Sequence, residues 1–282
     1  MNKNIYLILF LLLFLCGCTS SNFIEVSTIS QSDAAFKDNK TLTVLLNVSV
    51  FDAERKDTVL SWNVDSTNIT YSGYYLGEID ILTGNKKIIN KHLIKSDDIV
   101  ISGKIVAIKS GSPVKIILLK NSTNYEDYKE LSITDLDVIY DAYNDNKILY
   151  LTSDNNLMDY DFLANSINSV LSFAPTVVLY NPMTGTQIAY VNNTTHTLST
   201  INTDGSNNIN ILTGYTINKI CWDPEGAFIV FTTDTEIYRV NTDGTNLLKL
   251  ADYTKPTEYR ESCLSINKLV FILKNAIETT SF

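Results

Sequence analysis

The chain has 282 residues, of which 45% are hydrophobic and 19% are charged, so it can bury a sizeable core and is not expected to be disordered. Strand-forming and turn-forming residue types are plentiful while Ala and Glu are sparse, which favours an all-β fold with polar turns. The net charge of −9 argues against nucleic-acid binding and gives no attraction to an anionic membrane surface.

Residues 1–17 are predicted to be a signal peptide. Lys3 supplies a positive charge, and residues 5–15 are uninterruptedly apolar, a stretch too short to span a bilayer comfortably. The stretch ends in Leu15-Cys16-Gly17-Cys18, which resembles the lipobox of bacterial lipoproteins. The resemblance implies that Cys18 receives diacylglycerol and becomes the mature N-terminus. An ordinary signal peptide and an uncleaved membrane anchor are the alternatives.

The expected location is the cell envelope, with a lipid anchor in the membrane. Acyl chains contribute about 0.8 kcal/mol per buried methylene, so two or three of them hold a protein on a bilayer essentially permanently. The residue after Cys18 is not aspartate. In lipoproteins this implies the outer membrane where the host has one, and otherwise the cell membrane. Residues 18–40 are mostly small and polar, which predicts a lipidated cysteine followed by a flexible tether.

From residue 41 onward the chain repeats a unit of about 40 residues. The two clearest copies begin at Tyr180-Asn181-Pro182 and at Trp222-Asp223-Pro224. The first apolar residues of the predicted second strands are Ile69, Ile105, Ile148, Ile188, Ile229 and Leu269, and those of the third strands are Leu76, Ile116, Leu157, Leu198, Ile237 and Ile277. Six copies made of short β-branched runs between turn residues predict a six-bladed β-propeller with four-stranded blades.

The two ends of the repeat region are expected to close the ring. Residues 59–64 are predicted to be the inner strand of the first blade, because Trp62 has the spacing of the repeat. The sixth copy stops at Phe282 after its third strand, and residues 41–50 form a strand that the first copy leaves unassigned. Residues 41–50 would complete the sixth blade and remove an open sheet edge, so the propeller is expected to span residues 41–282. The alternative is an open fragment.

The repeat unit resembles the TolB-type propeller repeat, a WD-like unit. Its best copy here begins at Trp222-Asp223-Pro224-Glu225-Gly226, continues through an aliphatic and aromatic strand and an Ile-Tyr strand, and closes at Leu250-Ala251. The resemblance covers residues 41–282 as an array. It implies the fold, whereas function depends on sites that differ between proteins of one fold.

Two Asp-Gly pairs are predicted to form structural turns. They are Asp204-Gly205 and Asp243-Gly244, within the sequence Asn-Thr-Asp-Gly-Ser/Thr-Asn. Glycine accepts a positive φ without steric cost, which suits a tight hairpin. Calcium loops are the alternative interpretation, but these segments lack the spaced carboxylates and the terminal bidentate glutamate of such loops.

Few residues point to metal or redox chemistry. Cys221 and Cys263 are expected to be buried thiols, with a disulfide as the alternative that export permits. His92 and His196 are the two histidines of the chain, and neither has a cysteine or histidine neighbour at metal-ligand spacing. No catalytic residue, metal ligand or cofactor is therefore predicted.

The sequence favours a binding or scaffold module rather than an enzyme. The expected partners are the membrane, through the lipid anchor, and a protein or an envelope polymer, through the propeller. The alternative is a propeller hydrolase or lyase that uses carboxylates at the channel mouth and a divalent cation. Three or more acidic, amide or histidine side chains that converge at one mouth would favour the enzyme.

Overall fold

The computed structural model describes residues 23–38, 41–51, 70–80, 83, 86–88, 99–102, 105–110, 114–119, 128–133, 135–144, 146–259, 261–273 and 277–282. These residues form strands and the turns between them. Within these ranges no helix is long and apolar enough to cross a membrane. The predicted signal peptide, Cys18 and residues 59–64 lie outside the described residues.

Four consecutive antiparallel sheets contain most of the described side chains. Sheet 3 consists of β9 (Leu136–Tyr143), β10 (Lys147–Thr152), β11 (Leu157–Asp161) and β12 (Ser166–Leu171). Sheet 4 consists of β13 (Pro175–Tyr180), β14 (Gln187–Asn192), β15 (Leu198–Asn202) and β16 (Ile209–Leu212). Sheet 5 consists of β17 (Lys219–Trp222), β18 (Phe228–Thr232), β19 (Glu236–Asn241) and β20 (Leu248–Asp252). Sheet 6 consists of β21 (Glu261–Leu264), β22 (Lys268–Ile272) and β23 (Ile277–Ser281).

Two further antiparallel sheets precede these four in the chain. Sheet 1 consists of β1 (Phe23–Asp38), β2 (Thr41–Phe51), β3 (Thr70–Asp80) and β4 (Lys86–Ile88). Sheet 2 consists of β5 (Ile99–Ser102), β6 (Ile105–Ser110), β7 (Val114–Leu119) and β8 (Tyr128–Ile133).

The first strands of sheets 3 to 6 lie next to one another in sequence order. Strand β9 lies beside β13, β13 beside β17, and β17 beside β21. The first strands are therefore on the inside and the fourth strands on the outside, which is how blades are arranged in a β-propeller. The predicted all-β propeller fold is confirmed for this part of the chain.

The core lies between the sheets, because sheets 4 and 5 each pack against a neighbouring sheet on both faces. In β18, Ile229 and Phe231 belong to the apolar cluster shared with sheet 4, whereas Val230 belongs to the cluster shared with sheet 6. Successive side chains of a strand point to opposite faces, so a strand covered on both sides reads as a continuous apolar run. Burial on both faces explains the apolar runs that start at Ile148, Ile188, Ile229 and Leu269.

The repeat markers of sheets 2 to 6 fall in the predicted strands. The second-strand markers from Ile105 onward lie in β6, β10, β14, β18 and β22, and the third-strand markers from Ile116 onward lie in β7, β11, β15, β19 and β23. The spacing of the repeat therefore predicted the order of strands in these sheets correctly.

The prediction for the N-terminal strand is wrong. Residues 41–50 do not complete the last blade, because β2 pairs with β1 on one side and with β3 on the other. In the described residues, sheet 6 has three strands. Residues 23–38 form β1 rather than part of a tether. Their Ser and Thr residues are compatible with a strand as well as with a polar linker, so composition alone did not separate the two.

Candidate functional site

A cleft of about 330 Å³ lies between sheets 5 and 6. Its lining includes Asn218, Lys219, Tyr253, Lys255, Tyr259 and Phe271. Lys219 begins β17 and pairs with Thr232 at the end of β18, so both lie at one end of sheet 5. The segment between β20 and β21 passes over the same end and supplies both tyrosines and Lys255. We call this the connector end, because here the fourth strand of one sheet leads to the first strand of the next.

The floor of the cleft is a packed group of aromatic rings. Phe271 is 3% exposed, and its ring centroid lies 5.8 Å from that of Tyr253 and 5.2 Å from that of Tyr259. The Tyr259 ring meets Phe271 edge-on at 70°. The Tyr253 hydroxyl donates a hydrogen bond to the carbonyl of Thr233, and burial raises the pKa of this phenol. Packing against Phe271 orients both tyrosine rings, and the hydrogen bond further holds Tyr253, without a bound ligand.

Two polar residues of the cleft lining, Asn218 and Lys255, are connected through hydrogen bonds to Asp234 beside the cleft. Asp234 Oδ1 accepts hydrogen bonds from Asn218 Nδ2 at 3.0 Å and from Lys255 Nζ at 2.9 Å. The hydrogen bonds from Lys255 and Asn218 lower the pKa of Asp234, and the hydrogen bond to Asp234 raises the pKa of Lys255. Both groups therefore remain charged at neutral pH, and their charges largely cancel. The Asp234 side chain is 71% exposed and can accept further hydrogen bonds from solution.

The predicted Asp-Gly turns lie at the opposite end of the sheets. Asp204 Oδ1 accepts hydrogen bonds from the backbone N–H of Ser206 at 2.9 Å and from its hydroxyl at 2.6 Å. Asp243 Oδ1 accepts the equivalent pair from Thr245 at 2.9 and 2.6 Å. Each carboxylate thus holds its own turn. Gly205 and Gly244, which follow these aspartates, both have a φ of +83°.

The cysteines Cys221 and Cys263 occupy equivalent positions in adjacent first strands. Cys221 lies in β17 and Cys263 in β21, and no disulfide joins them. Burial, with a smaller contribution from Asp223, raises the pKa of the Cys221 thiol to about 12. This thiol therefore stays protonated at neutral pH and is a poor nucleophile.

The structure does not bring the histidines or a set of carboxylates together in the part of the chain that it describes. His196 lies in the turn between β14 and β15, and His92 is outside the described residues. Among the described side chains, no group of three acidic, histidine or cysteine residues has metal-binding geometry. Asp141 and Asp159 both contact Tyr180, but this cluster is buried between sheets 3 and 4.

The residues of the cleft did not stand out in the sequence. Tyr253, Lys255 and Tyr259 belong to the segment between β20 and β21, which the repeat template does not cover. The sequence offers one indication, which is the length of this connector. Residues 253–260 connect sheets 5 and 6, whereas the shorter segment 172–174 connects sheets 3 and 4. A long connector rich in aromatic residues marks a place where the surface departs from the repeat.

No protein-family model matches the sequence, and no curated protein matches it. A solved structure titled "Crystal Structure of Mitotic Checkpoint Complex" contains a similar chain, with 14% identity, a TM-score of 0.53, and coverage of 92% of this chain and 91% of that chain. Oligogalacturonate lyase in complex with manganese is similar at 11% identity and a TM-score of 0.50, covering 90% and 72%. These likenesses concern the fold alone. The fold is an all-β propeller.

TolB from Acinetobacter baumannii is similar at 14% identity and a TM-score of 0.48, with coverage of 83% of this chain and 56% of that chain. At this TM-score the likeness adds no support to a common function. The TolB-type repeat therefore remains a resemblance in sequence.

Proposed function

We propose that this chain is a lipid-anchored binding module of the cell envelope, and that its propeller binds a protein or an envelope polymer at the connector end. The cleft between sheets 5 and 6 is the observation that carries the proposal. Its volume of about 330 Å³ is within the range of ligand sites, and a fixed aromatic floor with a few polar groups is the usual lining of such sites. Tyr259 is 38% exposed and offers a rigid, amphipathic ring to a partner.

The proposal includes a six-bladed ring. Sheets 1 and 2 supply the two blades that precede sheets 3 to 6. In support, β1 lies beside both β5 and β21, so it connects the first sheet to the second and to the last. Closure by β1 replaces the closure by residues 41–50 that the sequence suggested, and it leaves no open edge between the first and last blades.

The lipid anchor at Cys18 would hold the propeller close to the membrane. Strand β1 begins at Phe23, so only residues 19–22 separate it from the lipidated cysteine. An extended chain spans at most about 3.5 Å per residue, which limits the distance between Cys18 and Phe23 to about 18 Å. The host membrane would be the outer membrane in a cell with two membranes, and otherwise the cell membrane.

The anchor is tested by metabolic labelling with palmitate in a bacterial host. Cys18→Ala should abolish labelling and release the protein from the membrane fraction, whereas Cys16→Ala should retain the label. Both variants keep the length and the apolar character of the signal peptide. Label that persists in Cys18→Ala would show that this cysteine is not the anchor.

The binding role is tested with a photo-crosslinking amino acid placed at position 259 of the full chain in envelopes of the native host. Position 160 is the control, because Tyr160 meets Phe162 edge-on much as Tyr259 meets Phe271, but on sheet 3. A crosslinked species that forms from position 259 and not from position 160 supports binding at the connector end. Equal yields from both positions, or none from either, would argue against this surface.

A further inference from the structure

The cleft between sheets 5 and 6 presents a flat ring beside a group of fixed hydrogen-bonding atoms. Tyr259 supplies the exposed ring, while Asn218, Asp234 and Lys255 supply two donors and a carboxylate. A ligand that fits both parts needs an apolar face and, at its edge, neighbouring groups that donate and accept hydrogen bonds. A sugar ring has both, because its axial C–H groups form an apolar face and its hydroxyls surround it.

We infer that this cleft is a binding site for a neutral saccharide unit of an envelope polymer, with the sugar ring over Tyr259 and its hydroxyls on Asp234, Asn218 and Lys255. This inference rests on the proposed function and names the ligand of the same cleft. The C–H groups of the sugar carry partial positive charge and meet the negative face of the tyrosine ring. The second carboxylate oxygen of Asp234 accepts from one hydroxyl while Lys255 donates to its neighbour.

The charges at the mouth favour a neutral ligand over an anionic one. Lys255, one of the two lysines that line the cleft, is paired with Asp234 at 2.9 Å, so its own attraction for a phosphate or a carboxylate is already compensated. A ligand anion placed beside Lys255 would also lie close to the Asp234 carboxylate, which repels it. The net charge of −9 on the whole chain acts in the same direction.

The polar mouth also disfavours a purely apolar ligand. Such a ligand would remove water from Asp234, Asn218 and Lys255 without replacing the hydrogen bonds that water makes, and this costs free energy. A saccharide replaces those hydrogen bonds with its own hydroxyls. Because the aromatic rings are fixed by packing on Phe271, little conformational freedom is lost when the sugar binds.

The inference is tested by calorimetric titration of the full-length protein in a detergent whose head group is not a sugar. The ligands are linear tetramers of glucose, of N-acetylglucosamine and of galacturonic acid, each titrated up to about 10 mM so that a dissociation constant of about 1 mM or lower is detected. Heat of binding with at least one neutral tetramer supports the inference. No heat with either neutral tetramer, or heat with the galacturonate tetramer alone, overturns it.

Three variants assign the binding to this cleft. Tyr259→Ala should weaken binding by about tenfold, Tyr259→Phe should stay within about threefold because the ring remains, and Asp234→Asn should weaken binding by about tenfold because an acceptor is lost. Tyr160→Ala is the matched control on sheet 3 and should bind like the parent. Equal binding by Tyr259→Ala and the parent would overturn the assignment.

The same preparation distinguishes this inference from the proposed function. Palmitate labelling and photo-crosslinking from position 259 report on the anchor and on the use of the surface, and neither requires a saccharide. If both succeed while neither neutral tetramer binds, the saccharide inference fails and the binding module stands. If crosslinking also fails, both proposals fail.

Discussion

A buried polar cluster joins sheets 3 and 4. Its members are Asp141, Lys147, Asp159 and Tyr180. Asp159 in β11 has no exposed surface, and its Oδ1 accepts a hydrogen bond from the Tyr180 hydroxyl. Its Oδ2 lies 3.6 Å from Lys147 Nζ, which is an ion pair rather than a hydrogen bond. Asp141 Oδ2 accepts a hydrogen bond from the backbone N–H of Tyr180 at 2.7 Å. Two carboxylates of one sheet thus hold a single tyrosine of the next.

Burial raises the pKa of Asp159 above its ordinary 3.8, although Tyr180 and Lys147 act in the opposite direction. The folded protein therefore keeps this proton at pH values where the unfolded chain has lost it, so folding takes up a proton in that window. The stabilising contribution is fully present below an ordinary aspartate pKa, decreases as the pH rises, and is lost above the folded pKa. We expect Asp159→Asn to lack this pH dependence.

The measurement is urea unfolding of the parent and of Asp159→Asn between about pH 4 and about pH 7. The free energy of unfolding of the variant minus that of the parent should increase as the pH rises, because only the parent loses stability. Asp154→Asn, the same substitution at an exposed turn, is measured alongside as the control for the change of side chain. A constant difference between Asp159→Asn and the parent across this range would mean that the carboxyl titrates alike in both states.

At the scale of the elements, the Asp-Gly hairpins connect each sheet to the preceding one. The turn between β19 and β20 brings Gly244 close to β16 of sheet 4, and a Cβ at this position would lie 2.8 Å from the carbonyl oxygen of Ile211. The turn between β15 and β16 brings Gly205 close to Ser169 of sheet 3 in the same way, at 3.3 Å. Glycine is therefore required here for the close contact as well as for the positive φ.

Gly214 provides a matched comparison for Gly244. The two residues have φ values of +85° and +83°, but a Cβ on Gly214 would have no atom within 4 Å. Gly214→Ala should cost about 1 kcal/mol from the unfavourable φ alone, whereas Gly244→Ala should cost about 1 to 2 kcal/mol more because β16 must move. Urea midpoints of the two variants measure the difference. Equal midpoints would mean that the contact with Ile211 contributes nothing.

The sequence predicts a strand best where both faces of the strand are buried. Strands such as β10 and β18 are covered on both faces, so their apolar runs and their spacing predicted them correctly. Strand β1 was not predicted, because it contains Ser and Thr residues that also suit a linker. Strand β2 was predicted as a strand, but it was assigned to the wrong sheet. The cleft was not predicted, because it depends on how Tyr259 and Phe271 meet across two sheets, which no local pattern records.

At the scale of the whole molecule, the proposed closure of the ring depends on β1. It lies beside β5 on one side and β21 on the other, and it pairs with β2 along its length with three register shifts. A strand in this position links the start of the chain to its end. The proposed closure would remove unpaired edges and make the stability of each blade depend on both neighbours.

Two truncations of the lipidated full chain test this role of β1. Deleting residues 19–22 removes only the segment between Cys18 and β1 and should leave the melting temperature unchanged. Deleting residues 19–40 removes β1, exposes the edge of β2 and separates β21 from β5, so we expect aggregation or a clear loss of cooperativity. If residues 18–40 are instead a tether, as their composition suggests, the longer deletion should also be harmless. Thermal unfolding and size-exclusion profiles that are identical for the two truncations would therefore remove β1 from the ring, and with it the support for closure between the first and last blades.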